Sequence, residues 1–160
     1  MQSISPEVVF RGKNAWLEAL PQICKLTKRP LILGRNKSTK NLRIKIYEDL
    51  KERNLDVSSE DLQFDCCQED LSRLRNIIIK NECDSIVAAG GGKVLDSGKY
   101  LADSLSIPCI AVPLSAATCA GWTALSNIYT INGQFINDVT LRSCPKILVF
   151  DHSFIICKTD

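Results

Sequence analysis

Short apolar runs alternate with amphipathic stretches along most of this chain. Leu31-Ile32-Leu33-Gly34 is bounded by Pro30 and a polar stretch, which predicts a buried strand. Leu42, Ile46 and Leu50 follow four apart, one stripe of an amphipathic helix. Leu62-Gln63-Phe64 predicts a further strand. From Gln68 to Asn81 the residues Leu71, Leu74, Ile77 and Ile78 share a helical face, with Glu69 and Asp70 favourably placed in the first turn. Ser85–Ala89 is again a strand. Lys93–Leu105 is a helix with Val94, Gly98, Leu101 and Leu105 on one side, and Pro108–Val112 is the next strand. An N-terminal strand over Val8–Gly12 precedes a helix through Trp16, Leu17 and Leu20. Strands apolar on both faces, joined to helices by short connections, predict an α/β fold: a parallel sheet flanked by helices.

After Pro113 the pattern changes. Ser115–Gly121 is small and polar, loop material. Asn127–Ile131 and Gln134–Ile136 flank Asn132-Gly133, which predicts a β-hairpin near the C-terminal end, and Lys146–Phe150 reads as a last strand. No internal repeat interrupts this order, and 160 residues suffice for one domain with a sizeable core.

Charge removes some function classes. Twenty basic against eighteen acidic residues leave +2, with no basic run, so neither nucleic acid nor an anionic membrane is expected as partner. The longest apolar runs are too short to span a bilayer, and MQSISPEVVF lacks the form of a signal peptide. The eight cysteines contain no C-x-x-C pair, and most lie in apolar stretches. They read as reduced thiols, several packed as small core hydrophobes, and a cytoplasmic location is expected.

The candidate chemistry lies in Ser85-Ile86-Val87-Ala88-Ala89-Gly90-Gly91-Gly92-Lys93-Val94-Leu95-Asp96. A strand, three glycines and a helix start make an anion site: unpaired N–H groups and the helix dipole favour a phosphate, and glycine lets it approach closely. The plainer alternative is a tight turn that holds nothing. The G-x-x-x-x-G-K-[ST] pattern fails at Val87 and Val94, and G-x-G-x-x-G fails at Leu95, so neither of the two commonest phosphate loops is present.

The run Gly90–Lys99, followed by Ile110-Ala111-Val112-Pro113, Ala116-Ala117-Thr118, Ala124–Tyr129, Asn132-Gly133 and Phe150-Asp151, resembles the glycerol dehydrogenase branch of the iron-containing (group III) alcohol dehydrogenases. The resemblance implies a Rossmann-like NAD(P)-binding domain over residues 1–160, and a small alcohol or polyol as the substrate of the parent enzyme. It puts Gly91, Gly92 and Lys93 at the cofactor pyrophosphate, with Val94 and Asp96 in the same loop. Leu114, Ala117, Thr118, Thr123, Leu125 and Tyr129 fall on positions that line the adenine and nicotinamide ends. Leu114 and Ala117 stand where the glycerol enzymes usually carry hydroxyl residues.

Two departures bear on specificity. Arg35 follows the first buried strand where such enzymes often hold an acid against the adenosine ribose. An arginine there accommodates a 2′-phosphate, which favours NADP over NAD, unless Arg35 is only a solvated loop residue. Cys119 replaces the acid that faces the polyol, so glycerol itself is a less expected substrate; a small packed side chain is the plainer role. Trp122 either narrows the pocket or caps the hairpin.

In the resembled family the chemistry needs Zn or Fe, held by an Asp and histidines of a helical C-terminal domain. This chain has one histidine, His152, read as a turn residue, and no spacing for a metal set, so no metal site or catalytic residue is expected in it. The metal-binding domain is expected to be absent and the chain alone inactive, with a homo-oligomer favoured by the apolar surface left uncovered. The rivals are the cofactor domain of a dehydroquinate synthase or glycerol-1-phosphate dehydrogenase relative, and a non-catalytic nucleotide-binding module.

Overall fold

The computed structural model describes residues 5–35 and 37–155; Cys157 and its neighbours lie outside them. In chain order the elements are β1 (Val8–Gly12), α1 (Ala15–Leu26), β2 (Pro30–Gly34), α2 (Lys40–Lys51), β3 (Ser58–Asp61), α3 (Gln68–Lys80), β4 (Ser85–Gly90), α4 (Gly92–Leu105), β5 (Cys109–Pro113), β6 (Leu125–Tyr129), β7 (Phe135–Thr140) and β8 (Ile147–Asp151). Six strands form one sheet in the order β1-β8-β5-β4-β2-β3, and every pairing in it is parallel.

Strand periodicity sorts the core into two layers, because successive side chains leave a strand on opposite faces. Ile32, Val87, Ala89, Ile110, Val112, Ile147 and Val149 pack under α1 and α2 with Trp16, Leu20, Ile46 and Leu50. Their neighbours Leu31, Leu33, Ile86, Ala88, Ala111 and Leu148 pack under α3 and α4 with Leu71, Leu74, Leu95 and Leu101. On the second layer α4 comes very close to the sheet: a Cβ at Gly98 would stand 2.5 Å from Ala88 Cβ. A residue with a side chain at 98 forces helix and sheet apart.

One sequence expectation needs correction, and the hairpin's turn is longer than two residues. Leu62-Gln63-Phe64 is not a strand; the strand is the preceding, wholly polar Ser58–Asp61. It lies at the edge of the sheet, paired only with β2, so it needs no apolar alternation. The hairpin is present as the separate two-stranded sheet β6–β7, but Asn132-Gly133 does not form a two-residue turn. The strands end at Tyr129 and Phe135, with a register shift at Ile128/Tyr129, and Gly133 takes a φ of 80° within the longer loop.

Asp151, at the end of β8, ties the first layer together: it accepts a hydrogen bond from the Trp16 N–H at 2.9 Å. Burial works against its charge, but the Ser153 hydroxyl and the N–H groups of Trp16, Ser153 and Asn14 hold it below the usual carboxylate range. His152 is exposed in the turn that follows.

Candidate nucleotide-binding site

The strand order fixes where a ligand enters. From β2 the chain passes outward to β3, then returns so that β4 pairs with the other side of β2. The connections leaving β2 and β4 therefore diverge, and a crevice opens at the carboxyl ends of these two strands. A cavity of about 200 Å³ lies there, lined by Arg35 and Thr39 after β2 and by Gly90, Gly91, Gly92, Lys93 and Val94 after β4.

Its floor is the start of α4. Gly91 is the N-cap, with φ −84° and ψ −172°, and no side chain caps the helix. The first N–H groups of a helix have no partner within it, so they are turned toward the cavity mouth with the positive end of the dipole. Gly91 is extended backbone that any residue adopts, yet a Cβ there would meet nothing within 4 Å. No packing constraint of the protein itself requires glycine at this position. At Gly92 the Thr118 hydroxyl oxygen lies 3.2 Å from a hypothetical Cβ, so the loop after β5 roofs the helix start.

Charge is concentrated at the rim. Lys93 Nζ contacts Asp65 Oδ2 at 2.5 Å and stands 4.9 Å from the centre of the Tyr129 ring. Arg35 pairs with the other carboxylate oxygen of Asp65. Burial raises the pKa of Asp65, but the hydrogen bond from Lys93 and the charges of Arg35 and Lys93 outweigh it and hold the group below its ordinary value.

A second cavity of about 420 Å³ lies farther along the same strand ends, lined by Arg11, Ala116, Ala117, Thr118, Cys119, Trp122 and Phe150. Thr118 faces both the second cavity and the α4 N-terminus, so the two cavities adjoin along the carboxyl edge of the sheet. Such a pair of adjoining spaces suits an elongated ligand with an anionic middle.

The structure thus brings Arg35, Gly91, Gly92, Lys93 and Val94 to one cavity, Tyr129 to its rim, and Ala117, Thr118 and Cys119 to the next. It does not bring the other expected residues there. Leu114 is 1% exposed and packed in the layer under α1 and α2, because the end of β5 points it into the core. Asp96 is buried and ion-paired with Lys99 at 3.2 Å, and its carboxylate also accepts the Asn127 N–H. Thr123 and Leu125 are likewise taken by Lys99, which donates to the Thr123 hydroxyl at 3.2 Å and to the Leu125 carbonyl. Asp96, Thr123 and the Leu125 carbonyl, gathered by Lys99, hold β6 against α4, whereas Leu114 belongs to the opposite layer. Arg35 is an exposed residue of the loop after β2, and its guanidinium pairs with Asp65.

Asp65 and Arg11 had no sequence signal, because each acquires its place only through tertiary contact; Lys99 stood in the Gly90–Lys99 run, but nothing in the sequence showed that it is buried. Among the described residues no group of three or more His, Cys, Asp or Glu side chains is placed to hold a metal ion. The described residues therefore offer no donor set for the metal of the resembled enzymes. The described helices include none long and apolar enough to cross a membrane.

The seven described cysteines are free thiols that differ sharply in access. Burial pushes Cys66 and Cys109 up to about 12, whereas Cys119 is exposed on the second cavity. Thiolate is the reactive form, so iodoacetamide at pH 8 should alkylate Cys119 and leave Cys66 and Cys109 unmodified until the protein is denatured. Peptide mass mapping of native and unfolded samples checks this.

The same segment that forms the sheet and both cavities is the one a family profile recognises: residues 6–152 match that of the iron-containing alcohol dehydrogenases. The chain belongs to that family. It is 35% identical over 153 residues to an uncharacterised oxidoreductase of Synechocystis, covering 96% of this chain and 39% of that protein. It is 31% identical over 147 residues to a glycerol dehydrogenase of Escherichia coli, covering 92% of this chain and 38% of the enzyme. The crystal structure of the Schizosaccharomyces pombe glycerol dehydrogenase superposes with a TM-score of 0.82 at 26% identity, over 97% of this chain and 39% of that one. The chain spans about two fifths of the length of these relatives.

Proposed function

We propose that this chain is the NAD(P)-binding part of a metal-dependent alcohol or polyol dehydrogenase, and that the α4 N-terminus holds the cofactor pyrophosphate. The observation that carries the reading is the pairing of the strand-order reversal with Gly91, a helix-start glycine that no atom of the protein itself requires. The exposed N–H groups of the α4 first turn bind the anion, and Lys93 supplies a full positive charge beside them. The remainder of the dinucleotide runs past Thr118 into the second cavity, where Cys119 and Trp122 face its reactive end and a small alcohol or polyol. The bound dinucleotide supplies hydride transfer; this chain's residues bind and orient it. The reduced thiols agree with a cytoplasmic setting.

Titration with NADH and NADPH tests the reading. Trp122 is half-buried on the second cavity and Trp16 is fully buried in the core, so quenching by the cofactor reports on Trp122. Saturable quenching with a Kd below about 1 mM is expected, an affinity of roughly 4 kcal/mol. No saturation at millimolar nucleotide, with the fold intact by circular dichroism, overturns it and leaves a non-binding module.

A further inference from the structure

Arg35 stands where dinucleotide sites of this fold commonly hold an acid, and taken alone that exchange favours a cofactor bearing a 2′-phosphate. The fold brings a carboxylate from another segment into contact with that guanidinium. Asp65 lies in the connection between β3 and α3, thirty positions from Arg35 in sequence. Its two oxygens are divided between two cations, Arg35 Nη1 on Oδ1 and Lys93 Nζ on Oδ2. Both cations line the cavity at the strand-order reversal. Arg35 is consequently a neutralised cation rather than a vacant anion receptor.

We propose that Asp65 decides between the two dinucleotides, and that it makes this Arg35-bearing site prefer the form with a free 2′-hydroxyl. The proposal rests on the dinucleotide reading above. Two cations and one carboxylate leave a single net positive charge at the rim; without the carboxylate there would be two. A 2′-phosphate carries about two negative charges, so it must either evict the Asp65 carboxylate or lie against it. A hydroxyl is a neutral donor that the same carboxylate can accept. Specificity here comes from a repulsive element as much as from an attractive one.

The carboxylate is held in place. The Cys67 N–H donates to the Asp65 carbonyl at 2.8 Å, and the Tyr129 N–H donates to the Cys66 carbonyl at 2.9 Å, so the segment is fastened to the hairpin. The Asp65 side chain is only 9% exposed, and the Tyr129 ring covers the lysine that grips it. Moving Asp65 aside for a phosphate therefore means breaking both of its ion pairs and shifting a fastened loop. The depressed pKa of Asp65 keeps its charge in place at neutral pH.

The test compares Kd values for NADH and NADPH in the wild-type protein, Asp65→Asn and Arg35→Met, each checked for folding by its melting curve. The wild type is expected to bind NADH more tightly, and Asp65→Asn to shift the Kd ratio toward NADPH by about tenfold, the effect of one unscreened partial charge contact. Arg35→Met keeps the carboxylate and removes its partner, so it should weaken NADPH binding further while NADH changes by about twofold or less. If Asp65→Asn does not fold, the wild-type preference and the Arg35→Met shift carry the test. A wild type that prefers NADPH, or an unchanged ratio in a folded Asp65→Asn, overturns the proposal and leaves the dinucleotide reading standing. Failure of the wild type to bind either nucleotide brings down that reading itself.

Discussion

Replacing Gly91 with alanine should weaken dinucleotide binding by about 100-fold while leaving the melting temperature within about 2 °C of wild type. The two halves of this expectation have separate causes. Stability is preserved because Gly91 has an ordinary extended conformation and its added methyl meets no atom of the protein within 4 Å. Binding is lost because the methyl occupies the space through which a phosphate reaches the helix N–H groups, and those bonds weaken steeply with distance. The neighbouring glycines make the control. A Cβ at Gly90 would lie 2.8 Å from the Val94 side chain, so Gly90→Ala should lower stability as well as binding. Isothermal titration with NADH beside thermal melts separates the cases. Gly91→Ala with wild-type affinity would remove the phosphate role from this loop.

How far the sequence reaches can be judged from particular residues. The Gly90–Gly92 loop announces itself because glycine repeats are rare and sit between a strand and a helix of clear periodicity. The inner strands announce themselves because a parallel sheet covered on both faces forces continuous apolar runs such as Leu31–Leu33 and Ile86–Ala89. The same rule explains the failure at β3: an edge strand with Ser58, Ser59, Glu60 and Asp61 carries no apolar signature, and the eye moves to Leu62 beyond it. Asp65 looks like any loop acid until the fold brings Arg35 and Lys93 to its two oxygens. Leu114 shows the converse. A position inferred from resemblance alone carries no information on which way its side chain points, and the core claims this one.

Lys99 is the residue whose sequence appearance misleads most, and Lys99→Met should cost about 3 kcal/mol of stability, a fall in melting temperature on the order of 10 °C. A lysine in an amphipathic helix ordinarily points to water, but this one is 2% exposed. Its ammonium lies 3.2 Å from Asp96 Oδ1 and donates to the Thr123 hydroxyl and to the Thr123 and Leu125 carbonyls. Methionine conserves most of the volume, so the loss is electrostatic: a buried carboxylate stripped of its cation, and acceptors stripped of their donor. Burial already raises the pKa of Asp96 against the opposing pull of Lys99. Without that pull it rises further above its unfolded value, and the native state then binds more protons than the unfolded state. Stability must accordingly fall as pH rises through the native pKa, so the deficit of Lys99→Met should be smaller at pH 4 than at pH 7. Adding Asp96→Asn removes the stranded charge and should recover part of the loss, which makes the pair non-additive. The binding consequence follows from what Lys99 holds. Leu125 begins, and Thr123 immediately precedes, the strand that ends in Tyr129, the ring covering Lys93 at the cavity rim. Loosening that strand at its start should weaken NADH binding several-fold in protein still folded at 10 °C. A variant with wild-type melting temperature across this pH range would show that the buried pair contributes nothing net.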